Sequence, residues 1–530
     1  MDVLATQVDR RDPRFVENRD ENLKAIETLN GHLAKSYAGG GQKYVDRHRA
    51  RGKLLPRERV DLLLDRDSPF LEIQPLAGLH EAGVPGGGTI VGLGWIERTL
   101  CLITASEATV QGGAIGPVGL QKSLRAATIA SENHLPVVHC IESAGADLPR
   151  QVEIFVPGGQ AFRQITERSK QRLSTISLVF GSCTAGGAYV PGMSDYTVVV
   201  DDAAYMYLAG PPLVKMATGE EVDDETLGGA RLHAERSGVA DFLAANETEC
   251  IGIGRQLVAR LGQQQPVCRQ DGIAPPLYPA EDLLGIAETD LRRPFDCREV
   301  IARIVDGSRF FEFKPLYGPT LVTGFAELAG YRLGILANNG VLYGESAEKG
   351  AQFIMLCNQQ NTPLLFLQNI TGFIVGQAAE AAGIIRSGAK MINAVTNSTV
   401  PAITLMIGGS YGAGNYAMCG RAYAPRLLFA WPNHKIGVMG AEQLAGVLEL
   451  VKRQAAQRSG KPVDEQQLAT MKQMLVGKIE HDSTCWAATG RGYDDGVIDP
   501  RDTRTVLALA LAAVHRSPVR GTTRWGVFRH

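Results

Sequence analysis

The chain of 530 residues repeats itself in order along most of its length. Residues 70–76, FLEIQPL, resemble residues 310–316, FFEFKPL, and residues 237–241 resemble residues 495–499. Other matches lie 227 residues apart: Lys122 with Lys349, Pro136 with Pro363, Gly145 with Gly372, Gly181 with Gly408, Gly187 with Gly414 and Tyr189 with Tyr416. Matches that keep their order over such a length predict two related domains in tandem.

A polar stretch that contains several prolines, residues 263–294, lies between the two halves. Such stretches separate compact units, so we expect one domain at 1–285 and a second at 286–530. The first fifty residues are rich in charge. We expect them to form an exposed helical lead-in.

Within each half, short apolar runs follow stretches with helical patterning. The predicted strands are residues 136–141, 177–180, 363–367 and 402–407, and the predicted helices are residues 121–133 and 347–361. Short buried strands that alternate with helices indicate a parallel sheet in an α/β domain. The predicted fold class is therefore α/β, with two tandem domains.

Charge and cysteine usage exclude several classes of protein. Lys and Arg number 54 and Asp and Glu number 56, a net charge of −2, which argues against a general nucleic-acid binder. The nine cysteines are scattered, with no pair close enough for a zinc site or a disulfide framework. The chain carries no apolar stretch of membrane-spanning length and no apolar signal segment near its start, so we expect a cytoplasmic protein.

Two predicted strands run into glycine-rich turns, residues 181–189 (GSCTAGGAY) and 408–416 (GGSYGAGNY). A turn from strand to helix directs free backbone N–H groups outward, and glycine lets a ligand oxygen approach them. These are the requirements of an oxyanion hole, although a tight turn with close helix packing is the alternative. Two such turns at equivalent places suit a reaction between two carbonyl partners, a thioester enolate and a ureido or carboxyl oxygen.

Other catalytic patterns are missing from the sequence. It contains no GxxxxGK[ST] phosphate loop, no GxSxG nucleophile elbow and no HExxH zinc motif. His233 is expected to be structural, and the acidic run at 219–225 is expected to be the solvated start of a helix. Ser143 and Ser194 lie near the glycine turns without a nucleophile motif around them.

Longer motifs resemble one family. Residues 185–189 (AGGAY), 210–215 (GPPLVK), 217–220 (ATGE) and 237–241 (SGVAD) look like the carboxyltransferase (β) subunit of biotin-dependent acyl-CoA carboxylases. In the second half, residues 368–373 (QNITGF), 414–423 (GNYAMCGRAY), 431–433 (WPN) and 438–443 (VMGAEQ) resemble its 3-methylcrotonyl-CoA and geranyl-CoA carboxylase branch. The likeness extends over nearly the full chain.

The resemblance implies two crotonase-like (ClpP/crotonase) domains, the first for acyl-CoA and the second for carboxybiotin, with the active site between domains of different subunits. By motif position, the implied catalytic N–H groups belong to Gly186 and Gly187, for the thioester oxygen, and to Ala413 and Gly414, for the biotin carbonyl. The implied binding residues on the acyl-CoA side are Gly112, Gly113 and Ala114, within the loop 109–117, and Gly145. On the biotin side they are Gly372, Phe373 and Tyr416. Tyr416 stands where the propionyl-CoA branch has an acidic residue.

The resemblance also implies partners. The chain has no Ala-Met-Lys-Met biotinylation site and no ATP-binding unit, so biotin and its carboxylation would belong to a biotin carboxylase and biotin carrier α subunit. The family forms β hexamers, trimers of dimers, within an α6β6 holoenzyme. No metal, nucleic acid or membrane is implied.

The implied reaction transfers a carboxyl group from carboxybiotin to a branched α,β-unsaturated acyl-CoA, foremost 3-methylcrotonyl-CoA, in a site that excludes water. Geranyl-CoA or another acyl-CoA is the alternative substrate, because the small residues of the loop 109–117 leave room for a longer chain. A biotin-dependent decarboxylase subunit, an enoyl-CoA hydratase or isomerase, and a scaffold without activity are less favoured alternatives.

Overall fold

The computed structural model describes residues 1–81, 83–261, 273–459 and 464–529, which form two compact units. Within the described ranges, one unit contains residues 1–29, 273–510 and 518–529, and the other contains residues 30–261 and 511–517. Both units are therefore discontinuous along the chain. The division at residues 285 and 286 concerns the functional domains and stays a prediction.

The strands are β1 Asp2–Val3, β2 Leu71–Glu72, β3 Thr89–Ile96, β4 Thr99–Ser106, β5 Val137–Ser143, β6 Thr175–Thr184, β7 Tyr196–Val200, β8 Tyr205–Tyr207, β9 Phe242–Ala244, β10 Arg309–Glu312, β11 Leu321–Leu328, β12 Tyr331–Asn338, β13 Leu364–Ile370, β14 Ala402–Tyr411, β15 Leu427–Ala430, β16 Lys435–Gly437 and β17 Gly496–Val497. The helices are α1 Pro13–Tyr37, α2 Gln42–Arg49, α3 Pro56–Leu63, α4 Pro117–Glu132, α5 Gln151–Lys170, α6 Tyr189–Met193, α7 Pro211–Thr218, α8 Asp224–Gly228, α9 Ala230–Leu232, α10 Glu247–Arg260, α11 Leu283–Ile286, α12 Cys297–Ile304, α13 Gly344–Gln359, α14 Gln377–Ala381, α15 Ile384–Asn397, α16 Gly412–Ala417, α17 Ala441–Ser459, α18 Glu465–Asp482, α19 Cys485–Gly490 and α20 Thr503–Val514.

Each unit has its own sheet, and the two sheets have the same order. One runs β2-β3-β4-β5-β6-β7-β9 with β8 beside β6, and the other runs β1-β10-β11-β12-β13-β14-β15-β17 with β16 beside β14. Apart from the added edge strand β1, every strand of one sheet has its counterpart in the other. The α/β class and the internal repeat are confirmed, and the predicted strands fall on β5, β6, β13 and β14, with the predicted helices on α4 and α13.

The four predicted strands pair in parallel as expected, whereas the first strands of each unit do not. β2, β3 and β4 are antiparallel, as are β10, β11 and β12, and parallel pairing begins at β4 with β5 and at β12 with β13. The reason is the length of the connections. Two residues, Glu97 and Arg98, join β3 to β4, and Ala329 and Gly330 join β11 to β12, a link that only antiparallel strands permit. All four have positive φ, as a type I′ turn requires.

One carboxylate holds each of these hairpin turns. Asp65 accepts hydrogen bonds from both N–H groups of the first turn at 2.8 Å, and Asp306 does the same in the second turn, also at 2.8 Å. An arginine pairs with each carboxylate: Arg255 with Asp65 at 2.9 Å and Arg504 with Asp306 at 2.5 Å. The repeat therefore includes an Asp–Arg pair at each hairpin turn that has no obvious mark in the sequence.

The likeness between residues 237–241 and 495–499 is a false match. Asp241 is hydrogen-bonded through its N–H and its carboxylate to Thr197, next to the pairing of β9 with β7. Asp495 makes the same two bonds to Leu428, next to the pairing of β17 with β15. Asp241 is thus the counterpart of Asp495 and not of Asp499, because strand pairing defines equivalence and a short GV-Asp string does not.

Two further expectations need correction. The lead-in is not wholly exposed, because α1 buries Phe15 and directs the buried amides of Asn18 and Asn22 to main-chain carbonyls of residues 284–287. The stretch 263–294 is likewise not a simple linker in its described part, since Leu283, Leu284, Ile286 and Ala287 are buried. Phe15 packs against this segment, and the carbonyls of the segment accept hydrogen bonds from the amides of α1. Residues 263–272 of that stretch lie outside the described residues.

The cysteines of the described ranges are all free and buried, and Cys268 lies outside those ranges. Among the helices described, none combines the length and the apolar character that crossing a bilayer requires.

We expect Asp306→Ala to destabilise its unit, because it leaves Arg504 and both N–H groups of the second turn without their acceptor. The loss should be about 2 kcal/mol or more, which lowers the thermal unfolding midpoint by roughly 5 °C. Differential scanning calorimetry measures it. Asp20→Ala, which removes only an exposed pair with Arg19, is the control. Equal midpoints for the two variants would contradict the role of Asp306.

Candidate functional site

The first glycine turn begins where β6 ends at Thr184 and passes through a 3₁₀ turn, Ala185–Ala188, into α6. Gly186 and Gly187 have ordinary negative φ, and a Cβ on Gly187 would lie 3.9 Å from its nearest neighbour, Ser143 Oγ. Neither backbone conformation nor packing therefore requires glycine at 187. Outside their own helical turn, no group in the described ranges accepts a hydrogen bond from the N–H of Gly186 or Gly187. Small size and free donors together mark a place where a ligand can approach.

The predicted acyl-CoA residues gather beside this turn. The Ala144 N–H donates to the Gly112 carbonyl at 3.0 Å, and the Ile115 N–H donates to the Gly145 carbonyl at 2.8 Å. Gly113 and Gly145 both have positive φ, and a Cβ on Gly145 would lie 3.0 Å from the Thr184 carbonyl. The loops at 111–116 and 144–147 and the glycine turn thus meet at the carboxyl ends of β5 and β6, with Ala114 in the first of these loops.

Ser143, which the sequence marked only as a neighbour, connects these loops. Its buried hydroxyl donates to the Gly113 carbonyl at 2.8 Å and accepts from the Gly145 N–H at 3.1 Å. It is the last residue of β5, after a register shift in the pairing with β6 between Ile141 and Ser143. The bulge turns this hydroxyl toward the loops, which is a common use of bulges near functional sites.

A cavity of about 690 Å³ opens over the loop at 111–116. Gly112 and Ala114 line it, and so do the basic side chains Arg47, His48, Arg51 and Arg150. The rest of the lining is rich in glycine, which has no side chain to fill the cavity; these glycines are at 40, 78, 83, 87, 88, 116 and 119. Two acidic residues, Glu81 and Asp147, line it as well, so basic side chains outnumber acidic ones and a wide cleft of this kind can hold an elongated anionic ligand.

Sequence reasoning missed α2, which supplies two of these four basic side chains, with Arg51 directly after its end. The Gly40 N–H donates to Thr109 Oγ1 at 2.9 Å, and a Cβ on Gly40 would lie 1.9 Å from the Thr109 carbonyl. Only glycine allows this contact, which brings the start of α2 against the loop of the cavity. The signal in the sequence was the run Gly39–Gly40–Gly41 directly before a basic helix, RHRAR at 47–51.

A buried ion cluster lies behind the first turn. The Glu142 carboxylate contacts Lys53 Nζ at 2.6 Å and Arg59 Nη1 at 2.9 Å, and Arg59 also forms a bidentate pair with Glu247 at 2.7 and 2.9 Å. Burial alone would raise the pKa of Glu142, but the charges of Arg59 and Lys53 outweigh it and hold the pKa below its usual value. Glu142 is therefore a charged structural group and not a proton donor. A Cβ on Gly181 would lie 2.6 Å from it, which explains that glycine.

The second glycine turn occupies the same place in the other sheet, where β14 ends at Tyr411 and α16 begins at Gly412. The Leu342 N–H donates to the Gly372 carbonyl at 3.1 Å, which repeats the bond from Ile115 to Gly145. A Cβ on Gly414 would lie 2.5 Å from Ile370 Cγ1 and 3.4 Å from Gly372 Cα. Packing therefore requires glycine at 414, in contrast to 187. Ala413 lies in the same first turn of α16, whose N–H groups have no partner within the helix.

The two aromatic residues predicted for this side differ in exposure. Tyr416 is exposed and packs its ring 5.6 Å from that of Tyr423. The Phe373 ring packs inward against α15, 3.3 Å from the position of a Cβ on Gly388. The backbone of Phe373 borders the turn, while its ring supports the core.

The other candidates of the sequence have structural surroundings. The ring nitrogens of His233 lie 2.7 Å from Ser237 Oγ and 2.7 Å from the Met206 carbonyl. Asp223 caps α8 by accepting from the Thr226 N–H at 2.7 Å, as a helix start does. Within the described ranges, no three His, Cys, Asp or Glu side chains are arranged to hold a metal ion.

Comparison with known proteins decides the family. The family described as "Carboxyl transferase domain" matches residues 47–527. This chain belongs to the carboxyl transferase family. The family assignment made from the motifs is confirmed, and the glycine turns are features of a carboxyltransferase.

The relatives of this carboxyltransferase match it from end to end. A probable biotin-dependent acyl-coenzyme A carboxylase beta2 subunit of Mycobacterium tuberculosis is 56% identical, over 95% of this chain and 96% of that protein. The mitochondrial methylcrotonoyl-CoA carboxylase beta chain of Arabidopsis thaliana is 47% identical, over 99% and 92%. The crystal structure of the Pseudomonas aeruginosa geranyl-CoA carboxylase beta subunit is 43% identical, covers 99% of both chains and has a TM-score of 0.90.

The two turns differ in how they should tolerate a methyl group. Gly187→Ala places its Cβ in open space and should leave the thermal unfolding midpoint unchanged. Gly414→Ala forces its Cβ against Ile370, and such overpacking costs about 1–3 kcal/mol. We therefore expect a midpoint several degrees lower for Gly414→Ala alone, measured by scanning calorimetry. The reverse order of the two midpoints would contradict the packing described for these turns.

Proposed function

We propose that this carboxyltransferase is the β subunit of a biotin-dependent acyl-CoA carboxylase. It moves a carboxyl group from carboxybiotin, carried by a biotin carboxylase and biotin carrier α subunit, to a branched α,β-unsaturated acyl-CoA, foremost 3-methylcrotonyl-CoA. The observation that carries this proposal is end-to-end similarity, at 43–56% identity, to β subunits of such carboxylases. The two equivalent glycine turns support it chemically.

The acyl-CoA side belongs to the unit that contains residues 30–261. The bases at the cavity rim, Arg47, Arg51 and Arg150, suit the phosphates of coenzyme A, and the loop at 111–116 leads from the cavity toward the first turn. The N–H groups of Gly186 and Gly187 would donate hydrogen bonds to the thioester oxygen. Each such donor is worth on the order of 10²–10³ in rate, because negative charge develops on that oxygen when the acyl group loses its proton.

The biotin side belongs to the second turn, where the N–H groups of Ala413 and Gly414 would face the biotin carbonyl, with Gly372, Phe373 and Tyr416 around them. The small residues and free donors of this turn fit a ureido carbonyl. Carboxybiotin, when bound, supplies CO₂ and then the base that takes the acyl proton. The protein's part is to hold both carbonyl oxygens with main-chain donors and to exclude water, so no side-chain base is needed.

We also propose that the chain works as a homohexamer, a trimer of dimers, within an α6β6 holoenzyme. Apolar side chains at the start of α5 support a covered surface: Val152, Phe155 and Val156 are 87%, 82% and 76% exposed, next to an exposed Leu148. Val375, 227 residues after Leu148, is exposed as well. Apolar groups clustered in this way mark interaction surfaces.

A second candidate substrate is geranyl-CoA. The observation in its favour is the match to the geranyl-CoA carboxylase beta subunit, at a TM-score of 0.90, together with the small residues Gly112, Gly113 and Ala114 on the acyl-CoA side. Both substrates share the same chemistry and differ in the length of the acyl chain.

The holoenzyme, reconstituted with its α subunit, should carboxylate 3-methylcrotonyl-CoA with the highest kcat/KM among 3-methylcrotonyl-CoA, geranyl-CoA and propionyl-CoA. An allylic anion is easier to form than the anion of a saturated acyl group, so propionyl-CoA should be at least about 10-fold worse. Incorporation of labelled bicarbonate measures the rates. Equal or better use of propionyl-CoA would overturn the proposed substrate class, and a geranyl-CoA preference would select the second candidate.

The double substitution Arg47→Ala and Arg51→Ala should raise KM for acyl-CoA by about 10-fold and leave kcat nearly unchanged. Contacts to phosphates far from the reacting carbon stabilise substrate and transition state equally. Arg49→Ala is the matched control, since Arg49 lies on the same helix, pairs with Glu58 at 2.8 Å and does not line the cavity. A wild-type KM for acyl-CoA in the double variant would show that α2 does not belong to the acyl-CoA site.

A further inference from the structure

A chain of buried side chains lies beneath the second glycine turn. The Ser410 hydroxyl donates to Gln368 Oε1 at 2.6 Å and accepts from Asn415 Nδ2 at 2.7 Å. Gln368 Nε2 in turn donates to the Met418 carbonyl at 2.6 Å. All three side chains belong to buried residues. They connect β13 and β14 with the middle and the C-terminal end of α16.

This chain fastens α16 to the sheet. Gln368 extends from β13 to the carbonyls at the end of the helix, and Asn415 anchors the middle of the helix to Ser410 on β14. Gly420 leaves room for it, because a Cβ there would lie 2.0 Å from Asn415 Oδ1. The helix that presents the N–H groups of Ala413 and Gly414 therefore has one polar link in its middle and one at its C-terminal end.

The first half lacks this chain at the equivalent positions. Residues 227 before Gln368, Ser410 and Asn415 are Ile141, Cys183 and Ala188, which pack together in an apolar cluster. The order of polar and apolar residues is reversed at one further equivalent pair, Ser143 and Ile370. The polar Ser143 hydroxyl lies near the first turn, and the apolar Ile370 side chain packs against the second. Each turn thus has one polar support, from a different set of positions.

A turn of this shape folds without the buried chain, as the first half demonstrates. Buried polar groups are costly unless each finds a partner, and a complete set restricts a structure to one arrangement. The buried polar side chains beneath the second turn therefore fix the orientation of α16, which apolar packing alone would define less uniquely. The same reasoning applies to Ser143, whose hydroxyl bonds to Gly113 and Gly145.

We propose that Gln368, Ser410 and Asn415 are positioning residues that orient the N–H groups of Ala413 and Gly414 toward the biotin carbonyl, and that Ser143 does this for the acyl-CoA side. The inference rests on the proposed function. It assigns each polar support to one of the two reactants, so the supports should be separable in kinetics.

The test is the reverse transfer by the full-length chain, from carboxylated 3-methylcrotonyl-CoA to free biotin. The bond between the acyl chain and the carboxyl carbon breaks, an N–C bond forms on biotin, and the ureido proton of biotin passes to the acyl carbon. Ser410→Ala should lower kcat/KM for biotin by about 10-fold, mainly through KM, with KM for the acyl-CoA unchanged. Ser143→Ala should raise KM for the acyl-CoA and leave KM for biotin unchanged, so each variant is the control of the other.

Asn415→Ala tests the same chain independently, with the residue type that the first half tolerates at 188. The double variant Ser410→Ala, Asn415→Ala should lose little more than the worse single variant, because both act through one chain. Wild-type biotin KM in the single variants, or equal effects on both substrates, would overturn the positioning roles. If the wild-type protein catalyses no transfer at all, the proposed function is overturned as well.

Discussion

The molecule depends on one bend of the main chain, made twice, where a buried parallel strand stops and a short helix begins. At the end of β6 and of β14 the backbone must turn sharply, and the first N–H groups of the following turn have no partner within it. Main-chain donors there have positions set by the sheet. A site built from them needs no reactive side chain, so it rests on how firmly each bend is held.

The same frame is completed differently in the two units. Both sheets have a register shift at the strand before the bend, at Glu142 in β5 and at Asn369 in β13. Glu142 joins a buried ion cluster with Arg59 and Lys53, whereas Asn369 accepts a hydrogen bond from the Gly409 N–H at 3.1 Å. A Cβ on Gly181 or on Gly408 would collide with these residues, so the two repeated glycines provide space and not catalysis. Matching sequence positions can thus have a structural meaning beside a functional one.

Glycines near a site fall into distinct kinds once their surroundings are known. Gly414 and Gly40 are required because a Cβ would collide, and Gly113 and Gly145 have positive φ. Gly186 and Gly187 meet neither condition, which is compatible with the proposed role of their N–H groups as donors to the thioester oxygen. The motif AGGAY at 185–189 carried no information on this difference, because the neighbours that decide it come from β5 and α5.

Local patterning was enough to determine the strands β5, β6, β13 and β14 and the two glycine turns, because apolar periodicity and turn residues act over a few positions. The two halves followed from ordered internal matches, and the family followed from the resemblance of longer motifs. Tertiary structure alone decided three features: the antiparallel start of each sheet, the equivalence of Asp241 and Asp495 in the repeat, and the place of α2 beside the cavity. The same is true of the Gln368, Ser410 and Asn415 chain, whose members belong to three elements. Hydrogen bonds and close packing between distant segments leave no periodic signal, since each depends on atoms that only the folded backbone brings together.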